Sequence, residues 1–205
     1  MSEVVLGIDT STRVCVGLAR DGEILASRNV GDSRSHAELL MVTIEEILAE
    51  AGLSATDLSG IAVGMGPGPF TGLRVGIVTA TTLAIALNIE VFHVCGLDVL
   101  ALDVAANNPD QDFITCIDAR RKELYWARYD CRGHRMEGPF VTAPDRLPAL
   151  ETYGPAVSSS ELNAGLLAAH ARDLPDVGVS PLYLRHADTS LPGTTKSVLG
   201  SQDRR

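Results

Sequence analysis

The chain has 205 residues, 45% of them apolar but only 4% aromatic, with 19 Gly and 10 Pro. This composition supports a core of Val, Leu, Ile and Ala and excludes a disordered, collagen-like or disulfide-stapled chain. The formal net charge of −9 lies entirely on residues 1–110, which carry 5 basic and 14 acidic residues against 12 and 12 on 111–205. Such a chain is a poor stand-alone binder of nucleic acid, because phosphate neutralisation needs a positive surface.

In chain order, Val4–Ile8 reads as a buried strand, and Val14–Ala19 and Glu23–Val30 as two more joined through Asp21-Gly22, a strong hairpin signal. Ser35 with Glu38 has the capping-box form. Leu40, Ile44, Ile47, Leu48 and Ala51 then recur at helical spacing until Gly52. A strand at Gly60–Gly64, a Gly/Pro loop at Met65–Thr71, a helix from Gly72 to Asn88, a strand at Glu90–Val94 and a helix at Gly96–Ala106 follow. Asn107-Asn108-Pro109-Asp110 is a polar break that coincides with the change in charge. Beyond it, Phe113–Asp118 and Glu123–Tyr129 read as strands. Pro144 and Pro148 mark a loop-like stretch, Leu162–Leu174 a weak Ala-rich helix and Pro181–Arg185 a last strand. Residues 1–106 and 111–186 are therefore expected as a first and a smaller second unit, with 187–205 as a disordered tail. The order of elements predicts a mixed sheet with helices on its faces.

Met-Ser-Glu followed by Val4-Val5-Leu6 has neither a basic nor a long apolar leader region, and Val75–Leu87 is shorter than a bilayer span. Cys15, Cys95, Cys116 and Cys131 form no Cys-x-x-Cys pair, which predicts reduced thiols and a cytoplasmic protein. No two of the five histidines lie three to five apart, so no helical His pair for a metal is expected.

Four segments could carry chemistry. Asp9, Thr10 and Ser11 at the end of the first strand suit a phosphate and its Mg²⁺, or form an ordinary tight turn. Gly64 to Arg74, with Gly66 and Gly68 between prolines, is either an anion-binding loop at a helix N-terminus or a rigid structural loop. Gly72, Gly76, Ala80 and Ala84 form a stripe of small residues that admits close helix approach, against a subunit or against the protein's own sheet. Asp118-Ala119-Arg120-Arg121-Lys122 is a basic turn, for an anion, a partner or solvent.

Gly7-Ile8-Asp9-Thr10-Ser11, Ser35–Leu40, Ile61–Arg74 and Ile117–Arg121 occur in the order and spacing of the TsaB (YeaZ) family, and the run Gly66–Arg74 is highly specific. The similarity covers most of residues 4–130, and Pro181–Arg185 looks like the family's late motif. The resemblance implies a two-lobed actin-like ATPase fold (ASKHA, with ribonuclease H-like lobes), here with a shortened second lobe. It implies a role in making N6-threonylcarbamoyladenosine at position 37 of tRNA, as the non-catalytic paralogue of the transferase TsaD, with no catalytic residue and no metal site. Implied partners are a TsaD-type subunit, a TsaE-type ATPase and, in isolation, a second copy; tRNA is met through the complex and no membrane is involved. On that reading Leu40, Ile44, Ile47, Gly72, Gly76 and Ala80 form the partner interface. Asp9, Thr10, Ser11, Gly66 and Gly68 form a vestigial nucleotide site, with no tightly bound cofactor and ATP or ADP at the partner junction. TsaD-like proteins carry His-x-x-x-His after the fourth core strand, where this chain has His93 and Leu97. The alternatives are an actin-like ATPase or kinase using Asp9 and the glycine loop, or a glycoprotease-like metallopeptidase.

Overall fold

The computed structural model describes residues 2–31, 36–107, 110–148, 155–158 and 162–185. Strands β1 (Val4–Asp9), β2 (Val14–Arg20), β3 (Glu23–Val30), β4 (Gly60–Gly64) and β5 (Glu90–Val94) form one sheet in the order β3-β2-β1-β4-β5. β1–β2–β3 are antiparallel, while β4 and β5 join in parallel through crossover helices. The hairpin turns on Asp21 and Gly22, both at positive φ, as the Asp-Gly signal predicts.

Alternation along the strands assigns each face its cover. Val4, Leu6 and Ile8 on β1, with Val16 and Leu18 on β2, pack with Leu40, Ile44 and Ile47 of α1 (His36–Glu50) and with Ala80 and Ala84 of α2 (Phe70–Leu87). The opposite face, Val5, Cys15, Ala19 and Ala62, packs with Leu167 and Ala168 of α4 (Ala164–Ala169). Gly7 and Gly17 are register partners on this second face, and a Cβ at either would strike the backbone of Ala164. Small residues on two strands thus let a helix lie directly on the sheet.

Helix α3 (Gly96–Asn107) leads out of the first sheet and packs Leu97, Leu100, Ala101 and Val104 against Phe113, Ile117, Ala127 and Tyr129 of a second sheet. That sheet contains β6 (Phe113–Asp118), β7 (Leu124–Tyr129), β8 (Arg135–Thr142) and β9 (Ala156–Ser158) in the order β8-β7-β6-β9. The mixed α/β, two-lobed actin-like architecture is present.

Several expectations change. β8 is a strand that the sequence reading did not assign, ahead of the loop-like stretch at Pro144 and Pro148; its Pro139 sits on an edge strand, where a missing N–H costs no ladder bond. Pro181–Arg185 is not a strand: Leu182 N donates to Met65 O (2.8 Å) and the segment crosses the glycine loop as irregular chain. Within 111–186, expected as the second lobe, α4 returns to cover the first sheet. At 18 residues α2 is also long and apolar enough, by length and composition, to cross a membrane, contrary to the shorter reading; here its small-residue stripe is buried in the chain. Ser35 of the capping box and the 187–205 tail lie outside the described residues.

Candidate functional site

β1 and β4 run parallel and end side by side at Asp9 and Gly64, where the glycine loop begins. Asp9 is wholly buried. Its Oδ1 accepts from the Ser11 N–H (2.8 Å) and from the Ser11 hydroxyl (2.6 Å), which fixes the bend into β2. Its Oδ2 is buried with no hydrogen-bond partner. A side chain at Gly64 would collide with that oxygen, and Gly96 closes it from α3. Burial pushes the Asp9 carboxyl pKa up, against the opposing pull of the two Ser11 bonds, which favours the neutral acid.

Thr10 docks α2. Its hydroxyl donates to Gly72 O (2.7 Å) and accepts from Gly76 N–H (2.9 Å), two groups one helical step apart. A Cβ at Gly76 would strike that hydroxyl. Gly66 stands at φ +97° with its O accepting from Gly96 N–H (2.8 Å), and a Cβ at Gly68 would come within 2.8 Å of Ser11 Cβ. The structure thus brings Asp9, Thr10, Ser11, Gly66 and Gly68 together, but both hydroxyls and one carboxylate oxygen are already engaged within the chain. The remaining atom, Asp9 Oδ2, is enclosed and carries the group whose neutral form is favoured. This donor set does not fit a Mg²⁺–nucleotide in the present arrangement.

The structure places the residues expected at a partner interface inside the chain. Leu40, Ile44, Ile47, Gly72, Gly76 and Ala80 are all buried inside the chain, the first three in the apolar core and the glycines against Thr10. The small stripe lets α2 approach its own sheet; Leu73 is buried and Val75, Ile77, Leu83 and Leu87 pack partly buried against the core, while Val78 and Ile85 turn outward, 61% and 76% exposed. Met41 and Val42 are the exposed apolar residues of α1.

The basic turn has three consecutive left-handed residues, Arg120, Arg121 and Lys122, at φ 61°, 53° and 62°. Cβ atoms do not prevent a glycine-like backbone there, though each such residue costs about 1–2 kcal/mol. Sequence reading missed the cluster of Phe70, Arg74 and Tyr183. The Phe70 and Tyr183 rings are 4.8 Å apart, the Arg74 guanidinium lies 3.7 Å over Phe70, and its Nε donates to Tyr183 OH at 3.4 Å. No local signal links residues 109 apart. His93 faces Asp176 at 3.7 Å, and Leu97 is fully buried in the apolar contact with the second sheet.

A family profile described as TsaD, tRNA N6-adenosine threonylcarbamoyltransferase, matches residues 30–200. The crystal structure of YeaZ from Pseudomonas aeruginosa superposes with a TM-score of 0.74 at 27% identity, covering 89% of this chain and all of that one. The chain belongs to the TsaB (YeaZ) family. An uncharacterized protein of Mycobacterium tuberculosis is 42% identical over 90% of this chain and 92% of its own length. The tRNA threonylcarbamoyladenosine biosynthesis protein TsaB of Escherichia coli is 36% identical over 61% of this chain, and the match spans only 54% of that relative. The chain therefore matches about half the length of this E. coli relative, and the specific Gly66–Arg74 run lies where Thr10 and Ser11 hold the loop and α2 in place.

Proposed function

We propose that this chain is a non-catalytic subunit that binds and activates a TsaD-type transferase in threonylcarbamoyl transfer to adenosine 37 of tRNA. A TsaE-type ATPase joins the complex, tRNA enters through it with most contact on the partner, and a homodimer uses the same face when the partner is absent. The observation that carries this reading is the outward face of α2. Val78 and Ile85, one heptad apart, stand exposed on α2, and Met41 and Val42 are exposed on α1, while the small residues that could have faced a partner are spent on the chain's own sheet. The engaged hydroxyls around Asp9 support a non-catalytic role, and ATP or ADP then belongs at the junction with the partner. The pairing is tested with Val78→Asp and Ile85→Asp in calorimetry against purified TsaD-type subunit. Each is expected to weaken binding by about tenfold or more, about 1.4 kcal/mol, with an unchanged melting midpoint. Wild-type affinity in both variants would put the interface elsewhere. The competing ATPase reading draws on the unpartnered Asp9 Oδ2. It requires ATP hydrolysis by the isolated chain that disappears in Asp9→Ala.

A further inference from the structure

We propose that the second sheet carries a site for an unpaired RNA nucleotide, its base against Trp126 and Phe140 and its phosphate at Arg120 and Lys122. This extends the scaffold reading, which leaves RNA mainly to the partner, and it uses a different sheet from the pairing face.

Trp126 on β7 and Phe140 on the edge strand β8 are cross-strand partners with ring centroids 5.0 Å apart. With Pro139, Val141, Thr142 and Leu184 they line a cavity of about 500 Å³, within the range of small-ligand sites. Trp126 Nε1 and Thr142 Oγ1 are buried without hydrogen-bond partners. Orphaned buried polar groups are uncommon and call for an explanation. A nucleobase can stack on Phe140, 44% exposed, with Trp126, 5% exposed, packed behind it.

Charge selects the rest of the ligand. Leu124 is the register partner of Thr142 and lies two residues after Lys122, so the turn backbone begins about 7 Å from the cavity rim at ~3.3 Å per residue. Arg120 and Lys122 are exposed, make no ion pair among the described residues and stand at positive φ in the turn between β6 and β7. The nearby carboxylates are otherwise placed. Asp118 Oδ1 accepts from Arg120 N–H (2.8 Å), Glu123 pairs with Arg185 (3.2 Å), and exposed Asp145 is followed directly by exposed Arg146. Arg185 also donates to Ala119 O (3.0 Å), which ties the cavity wall at Leu184 to the basic turn. The half of the chain holding this site is charge-neutral, whereas the first half carries the −9 that repels phosphate.

Trp126 is the only tryptophan in the chain, so its fluorescence reads the site directly. The isolated full chain is titrated with a short single-stranded oligoadenylate and with a duplex RNA of equal length. Saturable quenching by the single strand, weakened by salt and at least tenfold weaker with duplex, is expected. Arg120→Glu combined with Lys122→Glu, and separately Phe140→Ala on the exposed edge, should each weaken it by about tenfold with melting midpoints near wild type. Absent quenching, equal quenching by duplex, or quenching untouched by the charge reversal overturns the proposal. So does protection of Trp126 from acrylamide by the TsaD-type subunit without RNA, which would make the occupant a polypeptide. The pairing face plays no part in these titrations, so either reading can fail alone.

Discussion

Thr10 is the residue on which the position of α2 turns. Its buried hydroxyl satisfies a helix carbonyl and a helix N–H that lie against the sheet, and Gly76 supplies the room. Thr10→Val keeps the shape but leaves both partners to find other bonds, so the isolated chain is expected to lose about 1–3 kcal/mol in urea denaturation. Gly76→Val should cost about 1–3 kcal/mol or more by overpacking. Both losses appear without any partner present, which separates a core role from an interface role. Asp9 gives a pH signature. Its folded pKa lies above the unfolded value of 3.8 because burial disfavours the charge. The stability it contributes is therefore complete below about pH 4 and is lost as pH rises through the folded value. Asp98 is raised mainly by burial as well, with Arg135 and Tyr129 opposing, so it adds a slope of the same sign. Asp9→Asn removes only its own part, and the melting midpoint of the variant relative to wild type should climb from pH 4 to pH 8.

At the scale of elements, the short helix α4 holds its place through three features. Asn163 caps it, its side chain accepting from Gly165 N–H (2.9 Å) and Leu166 N–H (3.3 Å). Gly7 and Gly17 admit its backbone to the sheet. Arg172 beyond it pairs with Glu3 at 2.7 Å. Asn163→Ala should cost about 1 kcal/mol. Gly17→Val should cost more, because the obstructing atoms are backbone and cannot rotate away; amide exchange is expected to rise first across α4 and β2. On the other face, α1 is tied to β3 by Arg28, whose guanidinium reaches Glu46 at 2.7 Å and Glu50 at 2.6 Å. These exposed pairs add little energy against the burial of Leu40, Ile44 and Ile47.

For the molecule as a whole, α3 is the connection between the sheets. Asp98, buried on α3, accepts from Tyr129 OH on β7 at 2.8 Å and faces Arg135 Nε on β8 at 3.4 Å. Burial pushes the neighbouring Cys95 thiol up to about 12, with the Asp98 charge adding to the shift, which keeps the thiol protonated and apolar-like at neutral pH. Tyr129→Phe removes a donor from a buried carboxylate and should cost about 1–3 kcal/mol. Amide exchange is the check, with loss of protection expected in β7 and α3 together and the β1–β2–β3 hairpins unaffected. The C-terminal segment reinforces the same junction, with Leu182 on the Met65 carbonyl in the first half and Arg185 on the Ala119 carbonyl in the second.

The sequence by itself determined the elements with strong local signals. The three opening strands turning on Asp21-Gly22, the β4 and β5 limits, the helices and the specific Gly66–Arg74 loop all follow from periodicity, turn chemistry and glycine placement within short windows. The family resemblance grouped Asp9, Thr10, Ser11, Gly66 and Gly68 as one candidate site, and the structure brings them together where β1 and β4 end side by side. Only the tertiary structure decided which face of α2 looks inward. Helical periodicity shows that small and large stripes exist but not which one meets the sheet, and that choice belongs to Thr10, 62 residues before Gly72 and in another element. β8, in a stretch to which the sequence reading assigned no element, holds Pro139 on an edge strand, a place that only the sheet order reveals. The return of α4 to Gly7 and Gly17, and the meeting of Trp126, Phe140 and the basic turn, likewise depend on close approaches between distant segments. Side-chain size at one position sets those approaches only once the partner position is known.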